Sequence, residues 1–254
     1  MSEHIEVARD GHIVSLRFAR PDKRNAITAG MYSLLADVLA DAEDDAEIRV
    51  VVLLGSGGSF TAGNDIGDLL EAPPTEPDAP VMAFLQALAR NTVPLVAGVE
   101  GDAVGIGTTM LLHCDMVLAT PQARFRLPFV DLGFVPEAGS TLLLPRIMGH
   151  ARAAELVMLA EFFGGEQAHA LGIVNRLVAP GAIEEATMEV ARTLAAKPPH
   201  ALRETKRLMK DGAAIEAAIR REAEVFGARM VSAEAREAFR AFTEKRKPDF
   251  SGLF

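Results

Sequence analysis

Arg49-Val50-Val51-Val52-Leu53-Leu54-Gly55 is a short, continuous and β-branched apolar run, and it decides the fold class. A strand with no alternation of apolar and polar residues is typically buried on both faces, as in a parallel sheet covered by helices. Earlier in the chain, residues 29–46 have apolar side chains at helical spacing, which predicts a helix, and Thr28 can cap its N-terminus. Residues 5–8 and 13–18 alternate around a turn signal, which predicts a hairpin. This order predicts an α/β architecture.

The same order of elements returns further along the chain. Residues 93–99 form a second continuous apolar run, a glycine-rich turn follows it, and strands are predicted at 116–119 and 124–127. A helix is expected to begin near Ala138. From about residue 182 the pattern is helical almost throughout, and the proline pair at 198–199 must interrupt it. We therefore predict an α/β core over residues 1–196 and a C-terminal helical region over residues 197–254.

Composition narrows the class of protein. The chain has 254 residues, 49% hydrophobic and 24% charged, and a formal net charge of −9. That balance disfavours a nucleic-acid-binding protein, and no apolar run is long enough for a transmembrane helix. A single cysteine excludes an intrachain disulfide and a cysteine-based metal site, and the six histidines have no metal-ligand spacing. We expect a cytoplasmic protein with no metal and no membrane partner.

Two glycine-containing segments follow predicted buried strands. In Phe60-Thr61-Ala62-Gly63-Asn64-Asp65-Ile66, Gly63 permits a sharp turn and Asp65 can cap the next helix. In residues 101–109, Gly105 and Gly107 flank Ile106 and would let a ligand approach the main chain at a helix N-terminus. Neither segment has the spacing of a phosphate loop or of a dinucleotide fingerprint. Taken alone, each is an ordinary strand–turn–helix connection.

A third segment carries a carboxylate in apolar surroundings. Glu137 follows Phe134, Val135 and Pro136 at the predicted start of a helix. Apolar neighbours raise the pKa of a carboxyl group and a helix start lowers it, so the sequence leaves the direction open. Alone, Glu137 could equally be a residue that merely favours a helix N-terminus.

Together these segments resemble the enoyl-CoA hydratase/isomerase family, also called the crotonase superfamily. The resemblance covers nearly the whole chain, and no single motif carries it. It is carried by the order and spacing of five stretches, namely residues 20–27, 60–66, 101–115, 128–141 and 241–248. It implies a crotonase-like spiral core of ββα units followed by a C-terminal helical oligomerisation region.

The resemblance also implies a catalytic site. Members of the family hold the carbonyl of a coenzyme A thioester with two main-chain N–H groups, whose counterparts here are those of Asn64 and Ile106. The two glutamates that activate water in the hydratases correspond to Thr109 and Phe129, which cannot act as acids or bases. Glu137 instead matches the glutamate in the Pro-Glu helix-start motif of one group of 3-enoyl-CoA isomerases. The resemblance therefore favours isomerisation of a 3-enoyl-CoA to a 2-enoyl-CoA.

Substrate binding and assembly are further implications. Coenzyme A would be part of the substrate, with no separate cofactor, and the family typically forms homotrimers or dimers of trimers. In the first part of the chain, the resemblance implies contacts to coenzyme A from Lys23, Arg24, Ala26, Ala62 and Asp65. Near the C-terminus it implies contacts from Phe242 and Lys245, which could serve the site of a neighbouring subunit. The basic run 245–247 could equally be a solvated helix end. Residues 72–80 and a helix over 81–91 are expected to line the acyl pocket.

Several alternatives remain open on the sequence. The chain could be a hydratase with atypical acids, or a thioester hydrolase in which Glu137 activates water. A protein of another class, a non-catalytic acyl-CoA-binding homologue, would bind the ester without turnover. The apolar stripe Ile215, Ile219, Val225 and Phe226 could lie at a subunit interface or pack within the chain.

Overall fold

The computed structural model describes residues 4–71 and 79–253, so the predicted pocket-lining residues 72–78 lie outside the described ranges. Nine strands are described within them: β1 (Ile5–Asp10), β2 (Ile13–Phe18), β3 (Val50–Leu54), β4 (Leu95–Val99), β5 (Asp102–Val104), β6 (Met116–Ala119), β7 (Arg124–Arg126), β8 (Phe163–Gly164) and β9 (Arg176–Leu177).

The strands form two sheets. The larger has the order β1-β2-β3-β4-β6-β9, in which β1 and β2 form an antiparallel hairpin and every later pairing is parallel. The smaller has the order β5-β7-β8. Parallel neighbours need a crossover connection, and helices provide it here. The predicted α/β class with its strand–strand–helix units is confirmed.

Helices cover both faces of the larger sheet. Those described are α1 (Ala29–Asp44), α2 (Ile66–Glu71), α3 (Pro80–Arg90), α4 (Ile106–Thr109), α5 (Ser140–Met148), α6 (His150–Leu159), α7 (Gly165–Ala170), α8 (Ile183–Ala195), α9 (Pro199–Met209), α10 (Gly212–Met230) and α11 (Ala233–Thr243). Single 3-10 turns lie at Pro21–Lys23, Met110–His113 and Val130–Leu132. In the described parts of the chain, no helix combines the length and the apolarity needed to cross a membrane.

Strand β3 is buried on both faces, as its continuous apolar sequence predicts. Val51 and Leu53 belong to the main core, which also contains apolar side chains of α1 and α3. Val50, Val52 and Leu54 point the other way and pack with Ile183 of α8 in a second core. Burying an aliphatic side chain of this size contributes about 1.5–3 kcal/mol, so both faces of the strand stabilise the sheet.

The C-terminal helices pack back on the core of the same chain. Ile215 and Ile219 of α10 are buried, and the Phe226 ring lies 4.7 Å from that of Phe134. Val225 is 44% exposed. Three of the four residues of the apolar stripe therefore serve packing within the chain. The division of the chain at residue 196 stays a prediction.

Of two local predictions, the first is confirmed to within two residues and the second was incomplete. The helix expected near Ala138 begins at Ser140, because Ala138 and Gly139 have positive φ angles of 61° and 69° and cannot continue a right-handed helix. The segment 101–109 contains the short strand β5, where the sequence indicated only a turn before a helix.

Candidate active site

The first candidate donor is the backbone N–H of Asn64. Ile27 bridges this segment from the side: its N–H donates to the Gly63 carbonyl at 2.8 Å, and the Asp65 N–H donates to the Ile27 carbonyl at 2.9 Å. In a parallel bridge of this kind the middle residue, Asn64, directs its own N–H away from Ile27. Across the described residues, that N–H has no hydrogen-bond acceptor.

The second candidate donor is the backbone N–H of Ile106, the first residue of α4. Gly105 before it has φ 57° and ψ −120°, a conformation available essentially only to glycine. The Gly105 N–H is bonded to the Arg126 carbonyl at 2.9 Å. The Ile106 N–H has no acceptor in the part of the chain that the structure describes, as expected for the first turn of a helix.

Glycines bring the two donor segments into contact. A Cβ at Gly63 would lie 2.7 Å from the Val104 carbonyl oxygen and 4.0 Å from the Cα of Gly105. A Cβ at Gly107 would lie 2.6 Å from Cγ2 of Thr61. Side chains at either position would force the segments apart. The spacing of the two N–H groups therefore depends on these glycines.

The Glu137 carboxyl lies beside the second donor segment. Thr109, three residues after Ile106 on α4, donates its hydroxyl hydrogen to Oε1 of Glu137 at 2.5 Å. Burial raises the pKa of Glu137 to about 8; the Thr109 hydrogen bond acts against the rise, and the nearby Glu222 carboxylate adds to it. The carboxyl is therefore protonated in much of the population near neutral pH and can both accept and return a proton.

Tyr32 of α1 connects the first donor segment to the same carboxyl. Its buried hydroxyl donates to Oδ1 of Asn64. Burial and the charge of Glu137 raise the pKa of Tyr32 well above its usual value, so the phenol remains a neutral donor. Asn64, Tyr32, Glu137 and Thr109 thus surround one site.

Three residues of this site had no role assigned from sequence. Tyr32 belongs to no motif, Thr109 was named only as the counterpart of a hydratase glutamate, and Glu222 stands in a helix far along the chain. The Thr109 hydroxyl contacts the Gly105 carbonyl of its own helical turn at 3.4 Å, and its shorter bond to Glu137, at 2.5 Å, is the contact that the sequence did not indicate. Asp131, a second carboxylate in the same stretch as Glu137, pairs with Arg126 on the surface.

Four of the predicted coenzyme A contacts lie together. The Ala62 N–H donates to the Arg24 carbonyl, and Arg20 joins the Ala26 carbonyl to the Asp65 carboxylate. Lys23, in the adjoining 3-10 turn, is exposed. Burial alone would raise the pKa of Asp65, but Arg20 and the N–H groups of residues 67 and 68 lower it, so this carboxylate already serves as a helix cap.

The two C-terminal candidates lie elsewhere in the chain. Phe242 is within α11, and Lys245 follows it as an exposed residue with a φ of 53°. Helix α11 packs against α10 and the turn Val130–Leu132. Over the described residues, no hydrogen bond or ion pair joins Lys245 to the group around Asp65.

Two unbonded backbone donors beside a buried, protonatable carboxyl are typical of enzymes that stabilise an oxyanion during proton transfer. Comparison with known proteins gives the family. The model of the enoyl-CoA hydratase/isomerase family matches residues 8–252, and the chain belongs to that family. Its spiral α/β fold is that of the crotonase superfamily.

Individual relatives carry different activities in their names. The chain is 33% identical to the 2,3-dehydroadipyl-CoA hydratase of Escherichia coli, with 99% of this chain and 100% of that protein covered. It is 32% identical to enoyl-CoA delta isomerase 2 of Rattus norvegicus, over 97% of this chain and 65% of that protein. The solved structure of Pseudomonas aeruginosa OdaA is 46% identical, with a TM-score of 0.90, 95% of this chain and 99% of that chain covered.

Proposed function

We propose that this enzyme isomerises 3-enoyl-CoA thioesters to 2-enoyl-CoA thioesters, with Glu137 as the base that moves the proton. The observation that carries the proposal is the buried Glu137 carboxyl, whose pKa is about 8 and which accepts a hydrogen bond from Thr109 on the helix that begins with the unbonded N–H of Ile106. Neither Thr109 nor Phe129 supplies a second acid.

The reaction needs one proton to leave C2 and return at C4. The ionised Glu137 takes the C2 proton, and the electron pair left behind delocalises on to the thioester oxygen. The N–H groups of Asn64 and Ile106 stabilise that oxyanion, where one donor contributes about 3–4 kcal/mol. The protonated Glu137 then gives its proton to C4 as the C2–C3 double bond forms. A raised pKa makes the same carboxyl a stronger base and a usable acid.

Hydration is the second candidate, because one of the relatives is named as a hydratase. Adding water across a double bond calls for groups that both position the water and transfer its proton. The Thr109 hydroxyl is hydrogen-bonded to Glu137, and Phe129 is an apolar residue buried in the main core, so neither position supplies such a group. Two further alternatives are a thioester hydrolase that uses Glu137 to activate water and a non-catalytic acyl-CoA-binding homologue. Assays with different acyl-CoA esters distinguish them.

Coenzyme A would be the thiol part of the thioester substrate and not a separate cofactor. We propose that Lys23, Arg24, Ala26, Ala62 and Asp65 contact it, since the last four already form one surface beside the first donor segment. Cationic side chains suit its phosphates. Phe242 and Lys245 would complete the site from a neighbouring subunit.

A contribution from a neighbouring subunit requires an oligomer, and we propose a homotrimer or a dimer of trimers. Large apolar side chains exposed on α9 and α6 support an assembly, because such surface is costly to leave in water: Leu208 is 88% exposed, Met209 81%, Met158 68% and Leu159 60%. Light scattering after size-exclusion chromatography tests it, and a monomeric mass would contradict it.

The function is tested by assaying 3-enoyl-, 2-enoyl- and saturated acyl-CoA esters side by side. We expect conversion of the 3-enoyl ester to the conjugated 2-enoyl ester, and a loss of about 10²–10⁴-fold in Glu137→Gln. Glu155→Gln, an exposed glutamate on α6, is the matched control. Unchanged isomerisation in Glu137→Gln would refute the proposal, as would hydration or hydrolysis as the only turnover.

A further inference from the structure

The turn that carries Glu137 is strained and needs external support. Ala138 and Gly139 have successive positive φ angles of 61° and 69°, and the first of them is not a glycine. A non-glycine residue in this region costs of the order of 1 kcal/mol and persists only where its surroundings hold it. Since Glu137 immediately precedes the pair, the direction of its side chain depends on this turn.

Glu222, from the middle of α10, holds one side of the turn. Its Oε2 accepts the Gly139 N–H at 2.6 Å, and its Oε1 accepts the Thr141 N–H at 2.9 Å and the Thr141 hydroxyl at 2.5 Å. The side chain is 4% exposed. Both carboxylate oxygens are therefore used to fix the backbone that follows Glu137 and the first turn of α5.

His113 holds the opposite side. Its Nε2 lies 2.7 Å from the Ala138 carbonyl, which can only accept, so Nε2 carries the hydrogen. Burial is the main cause that lowers the pKa of His113 to about 3, and the imidazole is therefore neutral at working pH. The turn thus receives a neutral partner on one side and a carboxylate on the other.

Resting on the proposed function, we propose that Glu222 is a positioning residue of the site: it anchors the turn that presents Glu137 and places a negative charge beside that carboxyl. The other groups around Glu137 are the Tyr32 phenol of α1, the Thr109 hydroxyl of α4 and the neutral His113. Burial raises the pKa of Glu222, and the hydrogen bonds from Thr141 and Gly139, with the charge of Arg221, act against that rise and favour its ionised form.

The two parts of the proposal have separate signatures. Without the anchor the base is misplaced, which lowers kcat while ground-state binding of the coenzyme A ester is retained. Without the neighbouring charge the ionised form of Glu137 is less disfavoured, so the acid limb of kcat/KM against pH moves to lower pH. A role in stability alone moves neither the limb nor the pKa of Glu137.

Glu222→Gln tests both parts. Its amide nitrogen would face N–H donors and could not accept their hydrogens, so the anchor is broken with little change in volume. We expect kcat to fall by about 10- to 100-fold with KM within about twofold, and the acid limb to move to lower pH. Glu224→Gln, an exposed glutamate on the same helix, is the control and should match the wild type.

A carbon-13 NMR titration of the Glu137 carboxyl, assigned against Glu137→Gln, gives a readout without turnover. We expect a lower pKa of Glu137 in Glu222→Gln. A fall in kcat with an unmoved limb and an unmoved pKa would overturn the proposal, and so would wild-type behaviour in both. If Glu222→Gln does not fold, Thr141→Val tests the anchor instead. Thr141 is exposed, so the variant should fold, and it removes only the hydroxyl that donates to Glu222. We expect a several-fold lower kcat, and an unchanged kcat would overturn the anchor.

These outcomes are separate from those for the function. An inactive Glu137→Gln beside a normal Glu222→Gln refutes only the role of Glu222. An active Glu137→Gln refutes the base itself, whereas the NMR titration still measures the charge interaction between the two carboxyl groups.

Discussion

Burial of the Glu137 carboxyl raises its pKa to about 8, so ionising this residue opposes folding. The unfolded chain loses the proton near pH 4.5, and the folded chain keeps it until about pH 8. Between these values the folded state binds more protons than the unfolded state, and stability therefore falls as the pH rises through this window. The residue that performs the proposed proton transfer destabilises the fold at the pH at which it is ionised.

Replacing Glu137 by glutamine should therefore stabilise the protein at alkaline pH. The amide has no charge to bury, and we expect the Tm of Glu137→Gln at pH 9 to exceed that of the wild type by about 4 °C or more. The difference should shrink as the pH falls and level off below pH 4.5, where the carboxyl is protonated in both states. Calorimetry at several pH values measures it, with Glu155→Gln as the control. A Tm difference independent of pH would contradict the assigned pKa.

Thr109 has the opposite electrostatic effect to Glu222. Its hydroxyl donates to Glu137 and lowers the pKa of that carboxyl. Thr109→Val removes the donor and keeps the shape, so we expect the pKa of Glu137 to rise and the acid limb of kcat/KM to move to higher pH. Thr193→Val, which removes a hydroxyl bonded to its own helix on the surface, is the control. A limb that stays in place would show that the Thr109 hydroxyl does not reach the base during catalysis.

At the scale of elements, the distance between the two donor segments is set by glycines. Gly107→Ala would place its Cβ 2.6 Å from Cγ2 of Thr61 and push α4 away from the Asn64 turn. We expect kcat to fall by about 10²-fold or more, as for loss of one oxyanion donor. Gly30→Ala on α1 is the control, because no atom lies within 4 Å of the added Cβ, and its kcat should match the wild type.

A second substitution should reverse part of that loss. Thr61→Ser deletes the Cγ2 methyl and keeps the hydroxyl that bonds the Asn25 carbonyl and the Gly63 N–H. The double variant should therefore recover part of kcat relative to Gly107→Ala, which a double-mutant cycle measures as a favourable coupling. Additive effects would mean that the clash with Thr61 is not the cause.

The elements that sequence predicted are those with a strong local pattern. Strands β3 and β4 are continuous apolar runs, and the hairpin β1–β2 alternates around a turn. Strands β8 and β9 have two residues each, too short for any periodicity, and exist because longer neighbours pair with them. The Ala138–Gly139 turn before the helix start was not predicted, because a positive φ at alanine has no signature in sequence. The partnership of Gly139 with Glu222 spans 83 positions, and no local pattern can indicate it.

The whole molecule brings the site together from distant parts of the chain. Tyr32 lies in α1, the donors lie after β3 and β5, and Glu222 lies in α10. The family resemblance predicted the donor segments and Glu137 as site residues, because each is a motif contiguous in sequence. It could not indicate Tyr32 or Glu222, whose contacts come from packing. The C-terminal helices of the same chain therefore contribute to the candidate site.

Lys206 of α9 ties these helices to the sheet. It is 6% exposed, and its Nζ donates to the Val93 carbonyl and to Oδ2 of Asp115, each at 2.7 Å. Asp115 Oδ2 also accepts the Leu95 N–H at 2.8 Å, so one ion pair joins α9 to the start of β4. Lys206→Met fills the space but leaves Asp115, which is 29% exposed, without its cation.

Breaking a buried ion pair by removing one partner costs about 3–5 kcal/mol, and the partial exposure of Asp115 reduces this to about 2–4 kcal/mol. We therefore expect urea unfolding of Lys206→Met to show a free energy lower by about that amount. Lys197→Met, at an exposed position before α9, should change little. The kcat of folded Lys206→Met should stay near that of the wild type, because Lys206 donates its hydrogen bonds to Val93 and Asp115, and His113 is neutral with or without the Lys206 charge. Unchanged stability would mean that this ion pair is not what holds α9 to the sheet.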